Sequence, residues 1–270
     1  MSATEPFTLV TALVNINREE WDGKNKQYAR KWNEYLNFLS MMALRMNVPL
    51  YIFVEKDTID FVLKHRNNPK TYVKVIDFKD YKLYPQRERI AEIQSSETYR
   101  AHGVEESPET HIPEYNIAVN NKVAFLDVVA RENPYRTDYF VWLDAGYGHG
   151  RIEIPRDYAW YPENYLKKAS TGKIVINTLL DEMKTSDPVE FFAKHVDFID
   201  GGMVVGNAAA IAELYRLYYS IIDDTMSGVN HEGIIDDDQY YMAMTSARYP
   251  QLFNLVRIAG WGARKDVLLC

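Results

Sequence analysis

A chain of 270 residues with 47% hydrophobic and 13% aromatic content can bury a substantial core, in one large α/β domain or two small ones. Its formal net charge of −7 argues against a general nucleic-acid binder, and a lone Cys270 at the last position excludes an internal disulfide and a Cys/His zinc site. No apolar run approaches the length of a membrane span, and MSATEPFTLV lacks the features of a secretory leader, so the sequence reads as soluble and cytoplasmic.

Three strand-like runs, Phe7 to Val14, Leu50 to Val54 and Thr71 to Ile76, alternate with helical patterns in the first half. Tyr28, Trp32, Tyr35, Leu36, Leu39 and Met42 recur at helical spacing, and a shorter helix spans about Thr58 to His65. This βαβαβ order predicts a parallel sheet. Asp77 to Pro113 is polar, with one short helical pattern near Arg89 to Ile93, and reads as an excursion. A helix from Glu114 to about Arg131 returns the chain to a strand over Asp138 to Asp144. Residues 151 to 172 read as irregular, and Lys173 to Asn177 and Phe198 to Gly206 as strands. Asn207 caps a helix carrying Ile211, Leu214, Tyr215, Tyr218 and Ile222 on one face. DDDQYYMAM opens a further helix and LFNLVRI is a late strand. With no repeat, linker or low-complexity stretch, a single domain over residues 1–270 is expected.

Several familiar motifs are absent. NINREEW follows the first strand with no glycine, against a dinucleotide-binding unit, and neither a P-loop nor a G-x-S-x-G elbow occurs. A bound diphosphate would need carboxylate-held metal or Lys and Arg side chains.

The polar residues that remain gather at predicted strand ends, where open α/β sheets bind ligands. The strand ending at Asp144 runs into AGYGHG, in which Gly146 and Gly150 permit close approach; a carboxylate that merely caps the turn is the alternative. Asn15, Asn17 and Arg18 follow the first strand and suit a base, ribose or phosphate, or simply a turn. Lys122 falls on the apolar stripe of its helix, between Leu126 and Val129, and needs an anion such as a substrate phosphate or Asp144, unless it snorkels to water. Asp200, Gly201 and Gly202 mark either a bulge or a place where a ligand lies against backbone. Asp236, Asp237, Asp238 and Gln239 sit at a helix N-terminus; capping explains some of them, and one could serve as a general base.

The stretch NKVAFLDVVARENPYRTDYFVWLDAGYGHG, then IDGGMVVGNAAAIAELYRLYY and DDDQYYM, resembles the HtrL/YibB family, which includes the WlaTC-type proteins, over about Phe7 to Trp261. The resemblance implies a GT-A-like (Rossmann-like) α/β fold with a mixed, mostly parallel sheet flanked by helices. It also implies a glycosyltransferase of lipopolysaccharide or surface-polysaccharide synthesis, using a nucleotide-diphosphate sugar and a glycan acceptor. Residues 1–150 would form the nucleotide-sugar half and 151–270 the acceptor and catalytic half. Any approach to a membrane would be peripheral, through a lipid-linked acceptor.

In such a fold an Asp-x-Asp motif holds a divalent metal, Mn or Mg, on the diphosphate. Here Ala145 and Gly146 follow Asp144 and the second Asp is missing. Asp144 would then bind the metal with help from water, His149 or a distant acid, unless Asp144 contacts the sugar or ribose while Lys122 and Arg18 handle the diphosphate and His149 is a loop histidine facing solvent. Asn15 and Asn17 would contact the nucleotide with Arg18. Gly146, Gly201, Gly202 and Gln239 would border the substrate, and Asp237 or Asp238 would deprotonate the acceptor in an inverting reaction. The incomplete acidic motif also admits a catalytically silent nucleotide-sugar or glycan-binding protein. A sugar nucleotidyltransferase is disfavoured by the missing glycine-rich loop.

Overall fold

The computed structural model describes residues 5–21, 23, 26–101, 107–183, 185–194, 196–228 and 233–269. Strands β1 (Phe7–Leu13), β2 (Leu50–Val54), β3 (Thr71–Val75), β4 (Tyr139–Leu143), β5 (Ile174–Thr178), β6 (Ile199–Asn207) and β7 (Phe253–Arg257) form one seven-stranded sheet. Each lies within one residue, at either end, of its predicted span. The order is β3-β2-β1-β4-β6-β5-β7. β6 is antiparallel to β4 and β5, and every other pairing is parallel.

The helices are α1 (Trp32–Met41), α2 (Ile59–His65), α3 (Arg87–Ser95), α4 (Glu97–Ala101), α5 (Pro108–His111), α6 (Pro113–Asn120), α7 (Lys122–Glu132), α8 (Glu163–Ala169), α9 (Pro188–Lys194), α10 (Ala208–Met226), α11 (Asp238–Arg248) and α12 (Arg264–Leu269). Alternate residues of the central strands supply two cores, one on each face. Val10, Tyr51, Phe53 and Phe140 pack with Phe125, Leu214, Tyr218 and Tyr241. Leu9, Ile52 and Val141 pack with Leu39, Val62, Leu166 and Leu268. Burial on both faces is why these strands read as continuous apolar runs. None of the helices is long and apolar enough to cross a membrane, among the described residues.

Four helical expectations change. The helix over Glu114 to Arg131 is two, α6 and α7, meeting at Asn121. Buried asparagines tie this junction to other segments: Asn120 donates to the carbonyls of Asn116 and Asp236, and the Asn121 side chain accepts from the Lys82 amide. The excursion over Asp77 to Pro113 holds α3, α4 and α5, and the region over 151–172 holds α8. The helix expected to include Tyr28 begins at Trp32, with a separate 3-10 turn over Lys26–Tyr28. Short helices that bury one to three residues carry too little periodicity to stand out in a sequence.

For ligand binding the decisive feature is the boundary between β1 and β4. From β1 the chain crosses outward to β2 and β3, while β4 opens the other half of the sheet, so a crevice forms beyond their carboxyl ends.

Candidate active site

A cavity of about 620 Å³ occupies that crevice, within the range of small-molecule sites. It brings together Asn15, Arg18, Lys122, Asp144, Gly146, His149, Gly201, Gly202, Asp237, Asp238 and Gln239, eleven of the twelve residues to which the resemblance gives a site role; Gly150, Asp200 and Asp236 lie outside its lining. Asn17 lines a neighbouring hollow instead. Its backbone is left-handed, with φ 54°, and its amide donates to the Asn15 side chain at 2.9 Å, so this pair builds the turn after β1.

Lys122 is the hub. It opens α7 with its side chain only 3% exposed, and its ammonium donates to Asp144 Oδ1 at 3.1 Å, to the Gly201 carbonyl at 2.9 Å and to Asp238 Oδ2 at 2.6 Å. Three donors meet three acceptors, so the ion is held charged in spite of burial, and none of its N–H groups is left for a phosphate. Trp142 adds an indole N–H to Asp144 Oδ1 at 2.7 Å. Burial pushes the Asp238 carboxyl above the ordinary carboxylate range, with Lys122 pulling the other way. Asp237 differs in its work: its Oδ1 accepts from the amides of Gln239 and Tyr240 at 3.0 and 3.1 Å, making it the N-cap of α11.

The glycines explain how these groups approach. β6 bulges where Ile176 pairs with Val204 but Asn177 pairs with Asp200. A Cβ on Gly201 would lie 1.9 Å from Asp238 Oδ2, and one on Gly202 2.7 Å from the Tyr147 ring. The bulge is present, and what lies against the bare backbone is the protein's own Asp238 and Tyr147. Gly146, by contrast, would accept a methyl at ordinary contact distance, 3.7 Å from Phe38; the steric demand falls on Gly148 and Gly150, which have φ of 82° and 73°.

Asp200 is fully buried and forms a two-pronged ion pair with Arg264, Nε to Oδ2 at 3.1 Å and Nη2 to Oδ1. The Arg264 guanidinium lies 4.8 Å from the Tyr147 ring centre and 4.3 Å from that of Trp261. Trp261, Arg264 and Lys265 line the cavity, as do Arg30 and Arg151; none of the five was anticipated. The available signal was Asp200 itself, a carboxylate inside an apolar strand that requires a buried cation. Its partner is 64 residues away and could not be picked out without the fold.

Arg18 is buried, with Nη1 donating to the Tyr35 hydroxyl and Nη2 to the Tyr28 carbonyl, each at 2.9 Å, and the Tyr115 ring centre 5.1 Å away. Its Nε has no partner, and neither has the Gln239 side-chain oxygen. Buried polar atoms normally find one, so these two are left unsatisfied among the described residues.

The expected metal pair fares less well on its chemistry. Burial, then Arg30 and Arg264, drive the His149 imidazole down to about 4, so it is neutral, yet it stands in a positive field that repels a cation. Asp144 Oδ1 already serves Lys122 and Trp142. No group of three or more His, Cys, Asp or Glu able to hold a metal occurs among the described residues. This donor set does not fit a divalent ion.

The sequence matches the family described as "Bacterial protein of unknown function (HtrL_YibB)" over residues 5–266. The chain belongs to that HtrL/YibB family. It is 28% identical over 274 residues to Protein HtrL of Escherichia coli strain K12, covering 97% of this chain and 91% of that protein. Among solved structures it resembles core-mannan synthase A of Aspergillus fumigatus in its Mn/GDP form, with TM-score 0.54, 8% identity and coverage of 94% of this chain and 73% of that one. Mouse xyloside xylosyltransferase 1, apo form, aligns with TM-score 0.46 and 11% identity over 96% and 89% of the two chains. The fold of this HtrL/YibB member is therefore that of glycosyltransferases, a GT-A-like mixed sheet.

Proposed function

We propose that this HtrL/YibB protein is a glycosyltransferase that moves a sugar from a nucleotide-diphosphate donor to a glycan hydroxyl, in surface-polysaccharide or lipopolysaccharide synthesis. The observation that carries the reading is the cavity at the β1–β4 boundary, in which Lys122 fixes Asp144 and Asp238 against a backbone left bare at Gly201. The end of β1 and the tyrosines around Arg18 offer apolar faces to the nucleotide. Gln239, in the cavity lining, borders the sugar. In an inverting transfer Asp238 takes the proton of the acceptor hydroxyl as that oxygen bonds the anomeric carbon and the bond to the diphosphate breaks. A carboxyl raised by burial is suited to that task. Asp237, committed to its cap, is the weaker candidate for base.

Release of nucleoside diphosphate from UDP- and GDP-sugars, with and without glycan acceptors, tests the proposal. Turnover that disappears in Asp144→Asn and Asp238→Asn variants of unchanged circular dichroism is the expected result. Binding without turnover on any acceptor would favour a silent sugar-nucleotide-binding module. Pyrophosphate release from a sugar phosphate and a nucleoside triphosphate would replace the proposal with nucleotidyl transfer.

A further inference from the structure

The cations of the cavity divide into two sets. Lys122 has every donor engaged by Asp144, Asp238 and Gly201. Arg264 is locked on Asp200 between two aromatic rings, and Arg18 spends both terminal nitrogens on Tyr35 and Tyr28. Arg30, Arg151 and Lys265 line the same cavity, and their side chains have no hydrogen bond or ion pair among the described residues. They arrive from three separate segments: the approach to α1, the loop after β4 and the first turn of α12. Arg30 and Arg151 both lie within electrostatic reach of His149, as does Arg264 beside Lys265.

Elsewhere on this acidic protein, Arg45, Arg87, Arg131, Arg216, Arg248 and Arg257 each pair with a carboxylate. Unpaired like charges that converge on a concave surface repel one another, and an anion relieves that repulsion. The nearby Asp144 is already paired with Lys122, which it shares with Asp238.

We propose that Arg30, Arg151 and Lys265 form the anion site that takes the donor's diphosphate, without a bridging divalent cation. The inference rests on the nucleotide-sugar reading above and deepens it. Two guanidinium forks and an ammonium supply donors for the non-bridging oxygens of both phosphates. The lysine already seated between Asp144 and Asp238 does the holding of those carboxylates that a metal would otherwise do. The leaving diphosphate then gains its charge next to these cations, and the departing bond needs no Lewis acid.

The test is calorimetric titration of UDP, GDP and inorganic pyrophosphate into the full chain, once in EDTA and once with manganese. Arg30→Ala, Arg151→Ala and Lys265→Ala are compared with Arg156→Ala, an exposed arginine outside the cavity. Affinity in EDTA should match that with manganese. Each of the three variants should weaken nucleoside diphosphate binding about tenfold, the loss of one charge-assisted contact, and leave nucleoside binding and the Arg156→Ala control unchanged. Binding that requires manganese and ignores the three substitutions overturns the inference and leaves the glycosyltransferase reading standing. Metal-free binding that the substitutions abolish, with no transfer to any acceptor, supports the site and overturns the reading. Failure of all three probes to bind under either condition overturns both.

Discussion

At the scale of single residues, Gly201 and Lys122 do the work of one device. Lys122 can reach Asp238 only because no side chain projects from Gly201, where a Cβ would lie 1.9 Å from the accepting oxygen. A Gly201→Ala variant must push Asp238 off the ammonium. Donor turnover should fall by about 10²-fold or more, the usual contribution of a positioned base, while the β6 ladder persists. Steady-state nucleoside diphosphate release alongside circular dichroism checks this, and near-normal turnover in a folded variant would remove Asp238 from the chemistry. Lys122→Met leaves two carboxylates facing each other in a cavity wall without their cation. Breaking a buried pair from one side costs about 3–5 kcal/mol, so this variant should show a large drop in its denaturation midpoint. A loss below about 1 kcal/mol would mean that solvent reaches the pair and that Lys122 is not the hub described.

At the scale of elements, α11 delivers two adjacent aspartates with different jobs. Asp237 caps the helix through Oδ1, and Asp238, one position on, turns to Lys122. Asp237→Ala should cost about 1 kcal/mol in chemical denaturation. Asp237→Asn should retain both stability and turnover, since an amide oxygen caps as well as a carboxylate; Asp238→Asn should keep the fold and lose turnover. Equal loss of turnover in both asparagine variants would defeat this division of labour. The sequence alone placed both residues at a helix start and could not say which of them met Lys122, because rotation about a helix axis is fixed by packing. Strands were legible because β1, β2 and β4 are buried on both faces and read as unbroken apolar runs. The break at Asn121 was not, because its cause is Lys82 and Asp236, remote in sequence. For the same reason Lys122 was readable as a cation needing an anion, while Arg264 was invisible until Asp200 was seen beside it. Arg30 and Arg151 looked like any surface arginine; only the closure of the cavity distinguishes them.

For the whole molecule, the acidic start of α11 ties the active cavity to global stability. Burial, reinforced by Glu109 and Asp238, raises the Asp236 carboxyl to about 8, and Asp237 moves in the same direction for the same reason. In the unfolded chain an aspartate titrates near about 3.9. Below that value Asp236 is protonated in both states and folding carries no penalty from it. Between about pH 4 and pH 8 the unfolded chain releases a proton that the native state keeps, so stability falls as pH rises; above about pH 8 both states have lost it and the dependence ends. Asparagine has the shape of the protonated acid and keeps an oxygen to accept the Asp237 amide, the contact Asp236 makes at 2.8 Å. Asp236→Asn should therefore be no more stable than the parent near pH 4. Its advantage in urea midpoint should grow steadily toward pH 8, flattening the parent's decline. An advantage that stays constant across this range would mean that Asp236 titrates normally, and that the acids entering α11 are better solvated than their packing against Glu109 and Asp238 implies.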